Sequence, residues 1–379
     1  MKRFTHSLLF LLAFFTSEVI YGQSFAADGQ VIGWAAVNPG DPFLAQGGLR
    51  YIPQFTFSYP VGKLSMEGEV SADIWGSTSL FNTDSINLDK NLSLYRAWIK
   101  LSGEQFEVRA GLQKINFGSA SMIRPLMWFD RLDPKDPLQL TTGVYGLLGR
   151  YYFLNNANIW LWLLYGNNAT KGLEIYPTKK NSLEYGGRAQ LPLPIGEMAF
   201  TYHHRQAEPD DVLPASMAIG GPCPENRYGF DTKVDLGVGL WFEGALIRQE
   251  SDILPYNNAT LLNAGADYTF DLGNGINVMA EGLFYLQGNK PFGSDMKVVF
   301  SGISVNYPLT IIHSISAIVF ADFSNKNLYR FINWNMTFDR WSFYLMGFWN
   351  PETYRLPGFE QGNSIFSGAG VQAMAVFNY

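Results

Sequence analysis

Most of the chain is written in one repeating unit: about ten residues alternating between apolar and polar, a tight turn, ten more such residues, then a longer polar stretch. Lys63–Trp75 is typical: Leu64, Met66, Val70, Ala72 and Ile74 share one side of an extended strand, and Glu67, Glu69 and Asp73 share the other. Successive side chains of a strand point to opposite faces, so this period of two sorts residues cleanly in a sheet and not on a helix. The turns carry matching chemistry, as in Pro60-Val61-Gly62, Pro194-Ile195-Gly196, Asp235-Leu236-Gly237 and the run Asp271–Gly275. In the last of these, Asn-Gly is expected to supply the positive φ angles of a hairpin. The pattern dictates antiparallel strands joined by hairpins.

Composition decides what the apolar face meets. Charged residues make up 16% of the chain, against about 25% in an ordinary globular domain. Aromatics are another 16% and glycines number 38. No run after the N-terminus reaches the roughly 18 apolar residues of a membrane helix; the longest, Ile159–Tyr165, has seven. A closed sheet satisfies its backbone in lipid as fully as a helix does. The expected fold is therefore all-β, a transmembrane antiparallel β-barrel of about eighteen strands, with short turns at one end and long loops at the other. The first strand is expected within Gln30–Val37. Polar loops are expected at Asn38–Gly48, Gly76–Lys90, Asn167–Ser182, Ala207–Asn226 and Asn350–Ser367, and the longest at Phe117–Gly143. An even strand count puts both termini on the short-turn side, which is the periplasmic one.

Lys2 and Arg3, the apolar core Leu8–Phe15 and the small-residue exit near Tyr21-Gly22-Gln23-Ser24 read as a secretory signal peptide over residues 1–22. Residues 23–379 are then a single barrel domain. A formal charge of −6 excludes nucleic acid as an obvious partner. The single Cys223 cannot form an internal disulfide. The adjacent His203 and His204 point to opposite faces of a strand, so they cannot jointly hold one metal ion. No phosphate-binding glycine loop and no Cys/His metal pattern is present, so neither cofactor nor metal is expected. His203 beside Glu184 is the one candidate for a general base, and no nucleophile is specified with it. The chain is read as a non-enzyme.

The end Val376-Phe377-Asn378-Tyr379 resembles the C-terminal aromatic signal that outer-membrane porins of Gram-negative bacteria present to the barrel-assembly machinery. The run V-R-A-G-L-Q-K-I-N-F-G at residues 108–118 is similar to a strand-and-loop pattern of eighteen-stranded substrate-selective porins and of the alginate-export channel. Those relatives commonly have Arg-Gln after the glycine, where this chain has Leu112-Gln113, so their substrate sites are not carried over. The resemblance implies an outer-membrane channel for passive or selective diffusion of small hydrophilic solutes. Its surroundings would be outer-membrane lipid and lipopolysaccharide. Two alternatives are a barrel for export or assembly of a surface polysaccharide or protein, and an outer-membrane hydrolase built on His203.

Charges on the polar face would line the lumen. The alternation puts Arg96, Arg109, Arg150, Arg188 and Arg205 on a basic wall, and Glu67, Glu69, Asp231, Glu243, Asp267 and Glu281 on an acidic one. Opposed charges across a lumen select and orient permeating solutes. Neighbouring Arg and Glu side chains also pair simply to hold a wall. Long loops in compact proteins tend to be functional. Phe117–Gly143 is expected either to fold inward, with Arg124, Asp130, Arg131, Asp133 and Asp136 reaching the charged belt, or to form an outer lid with Met127-Trp128-Phe129 packed on the rim.

Overall fold

The computed structural model describes residues 24–82, 85–130, 135–136, 138–212, 220–251, 254, 256–352 and 365–379. The segment read as a signal peptide lies outside them. The strands are β1 (Ser24–Asn38), β2 (Leu44–Val61), β3 (Leu64–Phe81), β4 (Ser85–Ser102), β5 (Phe106–Gln113), β6 (Val144–Tyr152), β7 (Asn158–Tyr165), β8 (Leu183–Leu193) and β9 (Gly196–Ala207). They continue as β10 (Cys223–Asp235), β11 (Gly239–Gln249), β12 (Asn258–Phe270), β13 (Ile276–Gly288), β14 (Met296–Pro308), β15 (His313–Asp322), β16 (Asn327–Thr337), β17 (Trp341–Trp349) and β18 (Ala369–Asn378). Each pairs antiparallel with its sequence neighbours, and β1 pairs with β18, so the eighteen-stranded sheet closes on itself. Closure removes the sheet edges that would otherwise need a partner. Across the seam, the Tyr379 amide donates to the Gly29 carbonyl at 3.2 Å and the Tyr51 and Tyr379 hydroxyls lie 2.9 Å apart.

Eight connections at one end, from 62–63 to 338–340, are two to five residues long, and both chain ends of the barrel lie there too. The other end carries the long connections, 114–143, 166–182, 208–222 and 350–368 among them. In the turn 271–275 the positive φ angles belong to Gly273 and Gly275. Asn274 instead donates from its side chain to the Pro308 and Leu309 carbonyls at 3.0 Å, clamping this turn to the next.

Three expectations are corrected. The first strand spans Ser24–Asn38, longer than Gln30–Val37, because Ser24–Gly29 pairs with Pro53–Ser58 of β2 while β18 covers only Gln30–Val37 on the other side. The loops expected at Asn38–Gly48 and Gly76–Lys90 are mostly strand, and only 39–43 and 82–84 connect there. The Ser, Asn and Asp at 85, 87, 89, 91 and 93 look like loop composition, yet they form the polar face of an arm whose other face carries Ile86, Leu88, Leu92 and Leu94. Tyr95, which strict alternation with the inward Arg96 would send toward lipid, turns inward. The register slips between Ser71 and Ala72, a bulge that leaves Tyr95 unpaired and flips the alternation beyond it. Its hydroxyl accepts from the Thr141 amide at 3.4 Å inside the barrel.

The core sits inside the barrel. Inward side chains of β14–β17, notably Phe300, Phe320, Tyr329, Phe331 and Phe348, pack in one cluster with Ile123, Leu126, Trp128 and Phe129 of the connection 114–143. These inward positions are apolar where a barrel interior is ordinarily polar.

Candidate functional site

The connection 114–143 enters the lumen and is fastened by its backbone. Glu281 of β13 accepts the amides of Ser121 at 2.6 Å, Met122 at 3.0 Å and Ile123 at 2.6 Å. Glu243 of β11 accepts those of Ala120 at 2.7 Å and Leu126 at 3.2 Å. Between them Asn263 of β12 donates to the Ile123 carbonyl at 2.5 Å. The two carboxylates stand in inward register on adjacent strand pairs, Glu243 opposite Asn263 and Glu281 opposite Gly265. Successive amides turned toward a carboxylate make a concave anion site within the chain itself. Gly118, at φ +99°, lets the backbone pass so close to Glu243 that a side chain there would collide with the carboxylate.

Aromatic packing carries the loop across the lumen. Phe117 stacks on Trp162 at 5.8 Å, and Phe129 meets His203 edge-on at 4.8 Å. Met127, Trp128 and Phe129 are buried against the inner wall, which rules out the rim-packed lid. The connection 166–182 presses on it from the long-loop side. Gly172, at φ +50°, lies against the Met127 carbonyl, leaving no room for a Cβ.

Arg124 turns back on its own loop, donating to Asn116 and to the Phe117 carbonyl. Asp136 accepts the amides of Leu138 at 3.0 Å and Leu140 at 3.4 Å. Asp130 is buried. Arg131 and Asp133 lie outside the described residues. The hydrogen bonds from the loop to Glu243 and Glu281 come from its amides, because the backbone itself passes against the wall.

The lumen charges divide into three groups. On β3–β6, Glu67 pairs with Lys100 at 2.9 Å, Glu107 with Arg150 at 2.9 Å, and Glu69 accepts from the Trp98 indole at 3.1 Å. Glu67 and Glu69 thus border the basic arc and do not face it from the opposite wall. Among the described residues Arg109 makes no ion pair; its guanidinium lies 4.5 Å over Trp98. Arg150 lies 3.8 Å over Trp160. Arg96 donates to the Thr141 carbonyl and hydroxyl, holding the loop's return leg. In the second group Arg188 of β8 grips Asp231 of β10 with contacts of 2.5 and 3.0 Å, and the Ser119 hydroxyl donates to Asp231 at 3.3 Å. Asp267 stands opposite Gly239 near the short-turn end.

The third group is a buried cluster that the sequence reading missed in part. Arg205 donates to Glu225 at 2.6 and 3.1 Å and lies 3.4 Å from Glu174. Arg227 donates to Glu174 at 2.8 Å and to Glu225 at 2.7 Å. Lys171 reaches Glu184 at 3.1 Å. Lys171 and Glu174 lie in an irregular connection, where no periodicity marks the inward face. Glu225 and Arg227 continue the spacing of Asp231: Arg227 follows the expected loop directly, and extending the alternation past Asn226 would have found Glu225. His203 sits fully buried beneath this cluster: the Trp162 indole donates to Nδ1 at 3.2 Å, which leaves Nε2 to donate to Glu184 at 3.2 Å. Among the described residues no His/Cys/Asp/Glu group is arranged to hold a metal ion.

No known family's sequence profile matches the chain, and no curated protein matches it in sequence. Solved structures do match it, over nearly its whole length. OccK2 (OpdF) from Pseudomonas aeruginosa, solved in complex with glucuronate, has a TM-score of 0.58 at 8% identity, covering 96% of this chain and 99% of that one. OccD3 (OpdP) from the same organism has a TM-score of 0.55 at 10% identity over 96% and 92%. The fold is that of the outer-membrane porins. The outer membrane channel DcaP of Acinetobacter baumannii has a TM-score of 0.51 at 11% identity over 96% and 99%. In this porin-type barrel the loop 114–143 bridges Arg96 of the basic arc and the carboxylates Asp231, Glu243 and Glu281 of β10–β13.

Proposed function

We propose that this chain is an outer-membrane channel for passive diffusion of small hydrophilic solutes, with the loop 114–143 as its constriction. The observation that carries the reading is the loop's attachment inside a closed barrel, through five amides held by Glu243 and Glu281. A segment fixed in this way narrows the lumen without closing the barrel wall. The arc opposite includes Arg109, which among the described residues makes no ion pair, and it offers a hydrophilic acid a partner. We further propose that residues 1–22 direct secretion and that the short turns and both termini are periplasmic. The assembly machinery would read the C-terminal strand, and lipid with lipopolysaccharide would surround the barrel. His203 has no catalytic part in this reading, since its ring is enclosed by Trp128, Phe129 and Trp162.

Planar-bilayer recording of the purified protein tests the channel, and an absence of conductance steps would refute it. One observation favours a plugged barrel serving export or assembly: the apolar packing of the loop onto β14–β17. Deleting residues 117–143 separates the two readings. A constriction predicts larger steps from a protein that already conducts; a plug predicts conductance only after the deletion.

A further inference from the structure

On the long-loop side of the constriction the lumen holds a cavity of about 360 Å3, within the size range of small-molecule pockets. Its walls are unusual for a barrel interior. Leu261, Tyr285 and Val298 stand in one inward row across β12, β13 and β14, with Ile247 and Leu283 beside them. Trp128, from the latched loop, closes the cavity from the constriction side. Water in such a space is in contact mainly with apolar surface, which favours displacement by an apolar group of matching shape.

The polar groups around it are of two kinds. Glu174, Arg205, Glu225 and Arg227 line one side, but their two positive and two negative charges are spent on one another at 2.6 to 3.4 Å. An ionised solute would find no uncompensated partner and would have to shed its hydration to enter. Gln249 and Gln287 also line the cavity, and each commits its NH2 group, Gln249 to Glu225 at 2.7 Å and Gln287 to the Tyr285 hydroxyl. Among the described residues nothing donates to their carboxamide oxygens, which stay open to a donor in the cavity.

We propose that this cavity is a binding subsite for an uncharged solute that combines a flat apolar face with hydroxyl donors, of the size of an aryl glycoside. The proposal deepens the channel reading and rests on it for how the solute arrives. The apolar face would lie against Trp128 and the row of Leu261, Tyr285 and Val298, and the hydroxyls would donate to the carboxamide oxygens. The subsite thus selects by amphiphilicity, where the arc around Arg109 selects by charge.

The test is equilibrium dialysis of the purified full-length barrel in detergent, with protein-free micelles as the control. The probes are phenyl β-D-glucoside, glucose and phenyl β-D-glucuronide. The glucoside is expected to bind saturably and at least tenfold more tightly than either of the other two. Val298→Asn places an amide on the apolar wall at a half-buried position and is expected to weaken glucoside binding at least fivefold; Val298→Leu is expected to retain it. A heat-modifiable band on gels identifies variants that have folded. Equal binding of glucose, equal or tighter binding of the glucuronide, or an unchanged affinity in a folded Val298→Asn barrel would each overturn the subsite. Because the readout is binding and not current, a barrel that conducts but fails these tests overturns the subsite alone. A barrel that binds selectively but never conducts overturns the channel reading alone.

Discussion

Removing the Glu281 carboxylate tests how the loop is held. In the native barrel Glu281 accepts three loop amides and the Trp241 indole at 3.1 Å. Hydrogen bonds to an ionised group contribute about 1.5–3 kcal/mol each. Taking the lower value for the three amides alone, Glu281→Ala costs the docked loop about 4–5 kcal/mol. At about 1.4 kcal/mol per decade, the undocked population should rise roughly a thousandfold. The apolar contacts of Ile123, Leu126 and Phe129 remain, so the loop should visit the undocked state and return. Single-channel records should then show brief, larger-conductance openings far more often than in the native barrel. Glu281→Gln keeps one carbonyl oxygen and should lie between the two. If openings of both variants matched the native frequency within tenfold, the amide latch would not be what holds the constriction.

Other outcomes follow from the same geometry. Arg188 and Asp231 are almost completely buried as a pair, so Arg188→Leu alone should destabilise the barrel by about 3–5 kcal/mol, with the double Leu variant recovering most of it. The unfolding temperature of the heat-modifiable band reads this out. Arg109→Ala should lower anion preference more than Arg150→Gln, because Glu107 already neutralises Arg150; reversal potentials in a salt gradient measure the ratio, and an unchanged ratio in both variants would make these arginines wall structure. Gly172→Val should disturb the packing of the connection 166–182 on Met127 and increase protease cleavage there in the folded barrel. In a Cys223→Ser background, Lys326→Cys should react with an impermeant maleimide on intact cells, whereas Leu236→Cys, exposed in a short turn, should react only after permeabilisation. The reverse pattern would invert the orientation.

The sequence alone determined the barrel, because strand alternation and turn chemistry are local. Leu64, Met66, Val70 and Glu67, Glu69, Asp73 declare their two faces without reference to any distant residue. The same locality made Arg188, Arg205, Asp231, Glu243 and Glu281 legible as inward residues. It failed where a face is polar on one side and unpaired on the other, as in Ser85–Leu94, and where a single bulge reverses the alternation, as at Tyr95. What each inward charge does was not local. Glu243 and Glu281 read as members of an acidic wall facing arginines; in the folded chain they hold the amides of a loop that begins six and eight strands away. No side chain of that loop signals the attachment, since the donors are backbone groups that every residue except proline possesses. Only closure of the barrel brings residues 120–126 against β11–β13, and with them the apolar cavity that Trp128 completes.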